Sequence, residues 1–287
     1  MSMNSFHSRN PRKPATTPAP ATVAAQRLGT RADQVLVERG LASSRTAAQK
    51  LIAAGRVSVQ KGASWTVLAK ASDTLAADAP LRVEEDATDR FVSRGGIKLA
   101  GALAHTGLPV AGLQCLDLGQ STGGFSDCLL QAGAARVVGV EVGHGQLHPR
   151  LADDPRCITL EGLNARALTS ADLGEHFPQG GFDLVTGDLS FISLTLVLPA
   201  AAALLKAGGV LLMLVKPQFE VGPQGVGKGG LVRDPALYAE VEAKLRASCE
   251  ANGLAVRDYF DSSITGGDGN HEFFVLAERR PNTDMSS

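Results

Sequence analysis

Apolar runs and helix-like stretches take turns along most of this chain. LQCLDLG, RVVGVEV, CITLEG, FDLVTGD and VLLMLVKP each read as a short strand, and GGFSDCLLQAGA and SLTLVLPAAAALLKAGG between them read as helices. A long helix is predicted over residues 235–252, then a strand near LAVRDYFDS and a last strand HEFFVLAE. The last two strands, joined by GGDGN, form an antiparallel hairpin at one sheet edge. The alternation predicts an α/β fold with a parallel, doubly wound sheet. Such sheets carry their chemistry just beyond the carboxyl ends of their strands.

The first part of the chain has a different rhythm. A short helix is expected over residues 32–39, stopped by Gly40, and a second capped by Ser43 or Ser44 and stopped by Gly55. RVSV then opens a strand. Leu36, Val37, Leu41, Ala47, Leu51 and Ile52 would supply a small core, leaving Arg31, Arg39, Arg45, Lys50, Arg56 and Lys61 outside. Residues 1–26, rich in Pro, Ala and Thr, read as a disordered tail, and EEDATDRFVSRGG as a junction.

Charge sharpens this division. Net charge is −1, but residues 1–62 hold ten Lys/Arg against two Asp/Glu, a balance of +8, and the remainder is at −9. A small module with that excess is built to meet a polyanion. No apolar stretch is long enough to span a bilayer, and the N-terminus lacks the apolar core of a signal peptide. Cys115, Cys128, Cys157 and Cys249 form no CxxC pair, which argues for reduced thiols in a cytoplasmic protein rather than a disulfide frame or zinc site.

LDLGQSTGGF occupies the first crossover loop. Gly119, Gly123 and Gly124 match neither G-x-G-x-x-G nor a P-loop, and no lysine follows to hold a phosphate. Glu141, ending the second strand, suits the ribose hydroxyls of an adenosine, a feature common to NAD and S-adenosylmethionine. The loop spacing favours S-adenosylmethionine.

VLLMLVKPQF raises a chemical question, because an oily strand ends on Lys216. The fourth strand ends in GDLSFIS, with neither the Pro-Pro-aromatic turn of enzymes that methylate base amino groups nor a cysteine nucleophile. Lys98, Asp188, Lys216 and Glu272 are present instead. Burial and a second ammonium lower a lysine's pKa, and such a lysine can take the proton of a ribose 2′-hydroxyl as general base. Lys98 would supply the second charge, with Asp188 and Glu272 holding the amines and the ribose. Phe191, three residues past Asp188, is placed to stack on a base freed from its helix, or to pack in the core.

Arg31, VLVERGLASSR and AGRVSV together resemble the S-four RNA-binding domain, which implies that Arg31, Arg45 and Arg56 lie near an RNA backbone, with Lys50 and Lys61 beside them. From about Thr30 to Glu278 the chain resembles the TlyA family of bacterial ribosomal-RNA ribose methyltransferases, historically called hemolysin A. FVSRGGIKL, DLGQSTGGFSDCLLQ, GDLSFISL, LVKPQFEVG, GLVRDP and GNHEFF carry the resemblance. It implies a Rossmann-like, seven-stranded class I methyltransferase domain over residues 94–280, preceded by a small α+β S-four-type domain over 27–85 and a linker over 86–93, with a tail from 281. It also implies S-adenosylmethionine as cofactor, held by Asp117, Gly119, Ser121, Gly123, Gly124, Glu141, Asn164 and Asp188. The catalytic set would be Lys98, Asp188, Lys216 and Glu272. The partner would be ribosomal RNA or a ribosomal subunit, methylated on a cytidine ribose, with no metal and no membrane. Gln120 stands where the family usually has alanine, Glu141 where it usually has aspartate, and His271 precedes the glutamate. Other readings are a membrane-lytic protein, an oxidoreductase, and an RNA-binding protein that has kept a cofactor fold without catalysis.

Overall fold

A computed structural model describes residues 29–42, 44–76, 78–84 and 90–281. The predicted tail over 1–26, the residues after 281, Ser43 and much of the predicted linker lie outside the described residues. The chain forms two compact units, Met1–Glu85 and Asp86–Ser287.

In the small unit, β1 (Thr30–Arg31) leads into α1 (Ala32–Glu38) and α2 (Arg45–Ala53), followed by β2 (Val57–Lys61), β3 (Ser64–Val67), β4 (Thr74–Leu75) and β5 (Leu81–Val83). β2 is the centre of an antiparallel sheet ordered β3-β2-β5, and β1 pairs with β4. The Ser44 side chain accepts from the Ala47 amide and caps α2. Leu36 and Ile52 are buried as expected, but Leu41 is exposed. Ala48, Val57, Val59 and Val35 complete the core instead, because β2 turns its apolar residues onto the two helices.

The large unit begins with α3 (Arg94–Thr106) and continues through β6 (Gln114–Leu118), α4 (Gly124–Gln131), β7 (Arg136–Glu141), α5 (Pro149–Ala152), β8 (Cys157–Glu161), α6 (Ser170–Leu173) and β9 (Phe182–Gly187). It closes with α7 (Leu198–Leu204), β10 (Leu205–Val215), α8 (Pro235–Ala251), β11 (Leu254–Asp261) and β12 (Phe273–Arg279). The seven strands lie in the order β11-β12-β10-β9-β6-β7-β8. All run parallel except β12, which pairs antiparallel with both β10 and β11. The predicted edge hairpin is there, with its second strand slotted inside the first. β12 is an apolar run buried on both faces over most of its length, whereas β11, with Arg257, Asp258 and Asp261, is only partly buried and takes the edge.

Two boundaries differ from expectation. The helix predicted from Ser193 to Gly209 shrinks to α7, after a 3-10 turn at Leu194–Leu196. Pro199 has no N–H to give to an earlier carbonyl, so the α-helix starts around it. β10 starts early at Leu205 and bulges over Lys206–Gly209 before regaining register at Val210. Residues 90–93, expected as linker, are instead packed into this unit: Phe91 is buried and the Val92 amide donates to Asp127 at 2.8 Å. Among the described residues no helix is long and apolar enough to cross a membrane.

Candidate active site

Three strand ends converge at one end of the sheet. Asp188 follows β9, Lys216 follows β10, and Glu272 precedes β12, whose reversed direction puts its start beside the ends of the others. Lys98 comes from the second turn of α3. Lys98 Nζ lies 2.6 Å from Glu272 Oε2, and Lys216 Nζ lies 2.6 Å from Asp188 Oδ1. Lys216 also donates to Ser190 Oγ at 2.8 Å. Lys98 and Glu272 are both buried, so Lys98 is no surface lysine. Burial pushes the Glu272 carboxyl above its ordinary range; Lys98 and then Lys216 pull it back, and Asp188 adds to the rise. Glu272 thus senses both lysines and Asp188.

A cavity of about 580 Å³ opens beside them, walled by Gly119, Ser121, Glu141, Asn164, Asp188, Leu189 and Phe191, among others. A smaller one of about 180 Å³ shares Gly119, Ser121, Asp188 and Ser190 with it and adds Ser93, Gln120 and Lys216. Asp188 and Ser190 therefore stand at the seam between a nucleoside-sized space and the lysine.

The glycines of the first crossover have distinct jobs. Gly119 has φ +78, and a Cβ there would lie 2.8 Å from Leu189 Cδ2, against the cavity wall. At Gly124 a Cβ would lie 2.1 Å from Ser93 Oγ, so the starts of α3 and α4 touch only because it is glycine. Gly123 and Gly124 support the loop but do not line either cavity. Nor does Asp117, which was expected at the cofactor: it is fully buried beneath the loop, where Ser126 Oγ donates to it at 2.7 Å and is itself met by Gln120 Nε2 at 2.9 Å. Burial pushes the Asp117 carboxyl up to about 7, against the pull of Ser126. Gln120 is thus a buried prop for the loop.

Glu141 is already held on both oxygens, by the Ser121 amide at 2.9 Å and the Gly143 amide at 2.8 Å. Each oxygen keeps a further lone pair for a ligand hydroxyl. Asn164 uses its Oδ1 to cap a 3-10 turn through the Arg166 amide. Phe191 is 90% exposed with φ +63, an aromatic side chain held in the left-handed region and leaning on Phe219 at 5.1 Å between centroids. Backbone strain of that kind costs about 1–3 kcal/mol and clusters at functional loops.

In the small unit Asp33 is the organiser. Its buried carboxylate accepts from Arg31 Nε and Nη2 at 3.0 Å, from Arg45 at 3.0 Å and from Gln49 at 2.9 Å. Those donors, Arg31 first, hold its pKa well below the ordinary carboxylate range. Arg56 turns to the Glu84 carbonyl of its own unit, while Lys50 and Lys61 reach out with no partner among the described residues.

Known proteins match both units. Residues 91–279 match the FtsJ-like methyltransferase family, and residues 30–62 match the S4 domain. The 16S/23S rRNA (cytidine-2′-O)-methyltransferase TlyA of Mycobacterium tuberculosis is 42% identical over 257 residues, 90% of this chain and 92% of that protein. The chain belongs to the TlyA family of FtsJ-like methyltransferases. Hemolysin A of Brachyspira hyodysenteriae is 34% identical over 85% of this chain and 98% of its own length. A solved structure from Streptococcus thermophilus that carries the hemolysin name shares 36% identity and a TM-score of 0.65, covering 88% of this chain and 89% of that one.

Several wall residues of this family member were not anticipated. Ser190 and Ser93 meet the lysine side of the site, and Gln146 accepts from Ser121 Oγ at 3.1 Å. Ser190, two residues past Asp188, lies in a stretch already singled out; Gln146 sits in a loop with no periodic signal.

Proposed function

We propose that this methyltransferase uses S-adenosylmethionine to methylate the 2′-hydroxyl of a cytidine ribose in ribosomal RNA. The observation that carries the reading is the paired set Lys98–Glu272 and Lys216–Asp188, with Asp188 in the wall of a nucleoside-sized cavity and Lys216 in that of the smaller one beside it. The residues fit the cofactor: Glu141 and Asn164 offer acceptors to an adenosine, and the left-handed turn at Gly119 keeps the wall clear of a Cβ. S-adenosylmethionine, when bound, supplies an activated methyl group on a sulfonium sulfur.

A ribose hydroxyl attacks well only if its proton leaves as the oxygen reacts. Lys216 Nζ, as the neutral amine, takes that proton and becomes an ammonium ion. Asp188 stabilises the ammonium by its ion pair and Ser190 Oγ orients it. Lys98, locked on Glu272, places a second positive charge beside the reacting oxygen. Phe191, exposed at the same rim, stacks the base that accompanies the ribose. The basic face of the small domain anchors the RNA.

The test is single-turnover methylation of ribosomal subunits by Lys216→Ala and Lys216→Arg. Both should lose on the order of 10²–10⁴ in rate with cofactor affinity kept, because a guanidinium holds its proton at working pH. Substantial activity in the arginine variant would reduce Lys216 to an electrostatic clamp. Calorimetry should show binding of S-adenosylmethionine and none of NAD; the reverse would return the chain to the oxidoreductases.

A further inference from the structure

The loop between Lys216 and α8 carries features that the catalytic site does not use. Residues 222–233, GPQGVGKGGLVR, hold two cations and no acid, within a region of the chain whose charge balance is −9. Lys228 and Arg233 line one cavity of about 400 Å³ together with Gln224, Gly227 and Leu231.

Many other cations of this domain are neutralised, although Arg94, Arg136 and Arg279 meet only a carbonyl or a ring nitrogen among the described residues. Arg150, Arg156, Lys206, Lys244, Arg246 and Arg257 each hold a carboxylate. Lys228 and Arg233 hold neither a carboxylate nor a carbonyl among the described residues. Asp234, the one acid in the cavity wall, has its Oδ1 engaged by the Ala236 amide at 2.9 Å as the cap of α8. Its single charge is set against two.

The loop is also built rather than slack. Asn270, buried, accepts from the Val232 amide at 3.0 Å and donates to the Gly230 carbonyl at 2.9 Å. Tyr238 Oη donates to the Val232 carbonyl at 2.7 Å, and the Gly227 amide donates to the Leu231 carbonyl at 2.9 Å. Asn270 lies two residues from Glu272, and the loop itself leaves the strand end that carries Lys216. Two of the four catalytic-site residues are therefore tied to it, one through the chain and one through hydrogen bonds. Fixing the backbone beneath two cations that share one acid suits an anionic ligand, since part of the ordering entropy is met before binding.

We propose that Lys228 and Arg233 form a docking site for a backbone phosphate of the RNA strand next to the nucleotide being methylated, a second anchor on the catalytic domain itself. The inference rests on the reading of the substrate as RNA. The loop leaves the strand end that carries Lys216, and an Arg and a Lys facing one cavity can meet phosphate oxygens of a strand bound there.

The experiment compares wild type with a Lys228→Gln, Arg233→Gln double variant on purified ribosomal subunits, with thermal unfolding and S-adenosylmethionine affinity as controls for folding. The variant should raise KM for the subunits about tenfold and make the log–log salt dependence of RNA binding shallower by roughly one to two, with kcat at saturating substrate unchanged. Lys228→Arg with Arg233 intact should behave as wild type. An unchanged KM and salt slope, in a protein that does methylate the subunits, would overturn the docking site. A protein that methylates nothing, yet whose double variant loses RNA affinity and salt slope, would sink the catalytic reading and leave the docking site standing.

Discussion

Both domains pair carboxylates with cations, but they expose the cation to very different degrees. In the small domain the acid is buried and the cations point out: Asp33 is fully buried, while Arg31 and Arg45 are 46% and 57% exposed. In the catalytic site the cations are withdrawn as well, Lys98 to 8% and Lys216 to 12% exposure, beside acids at 3% and 24%. An exposed guanidinium steadied from behind keeps its hydration and its reach, which suits docking to a flexible polyanion. A withdrawn ammonium loses water, feels its partner more strongly, and can exchange a proton with one bound group. The same two chemical groups suit recognition or catalysis according to whether the cation is left in water.

Neutralising the acid in each pair separates the two uses. Asp188→Asn should lower methylation at saturating RNA by about a thousandfold, because the ammonium formed at Lys216 loses its counter-charge. Cofactor and RNA affinity should stay within a few-fold of wild type. Single-turnover rates beside filter-binding affinities check this, and a variant that loses RNA affinity while keeping its rate would invert the assignment.

A second contrast lies in pH. Asp33 and Asp117 are the fully buried aspartates of their domains, but Asp33 is met by guanidinium groups and Asp117 by one hydroxyl. With a folded value below the unfolded one, Asp33 contributes stability that is present above the unfolded carboxylate value and fades as pH falls below it. Asp117, raised to about 7, does the reverse. Its contribution is complete below the unfolded value and is lost as pH climbs to about 7, a change of about 4 kcal/mol at roughly 1.36 kcal/mol per pH unit. Denaturant unfolding at pH 5 and pH 8 should therefore show the catalytic domain weaker at the higher pH, and Asp117→Asn should remove most of that difference. Equal slopes in variant and wild type would mean that Asp117 ionises as freely as in the unfolded chain.

The mildest effect is expected at Asp33→Asn. The arginines remain but lose their tether, so RNA affinity should fall about tenfold while kcat at saturating RNA holds. Electrophoretic mobility shifts across a salt series would show a slope close to wild type, since the phosphate contacts persist in number. A changed kcat would mean that the small domain does more than anchor RNA.

Much of this was legible in the sequence, and the limits are physical. Strand and helix alternation, the glycine loop and the stops at Gly40 and Gly55 are local signals, carried by side-chain period and by backbone freedom. Local signals also placed Asp188 and Lys216 at strand ends. Local pattern did not reveal that β12 lies inside β11, and that choice brings Glu272 to Lys98 from the far end of the chain. Asp117 showed the same limit: its place in the motif suggested contact with the cofactor, while the fold buried it under the loop. The sequence by itself determined which elements form and which chemical groups reach the active end of the sheet, because propensity and periodicity act over a few residues. Only the tertiary structure decided which lysine meets which acid and how far each pair is shielded from water, because burial and ion pairing depend on neighbours that the chain order does not name.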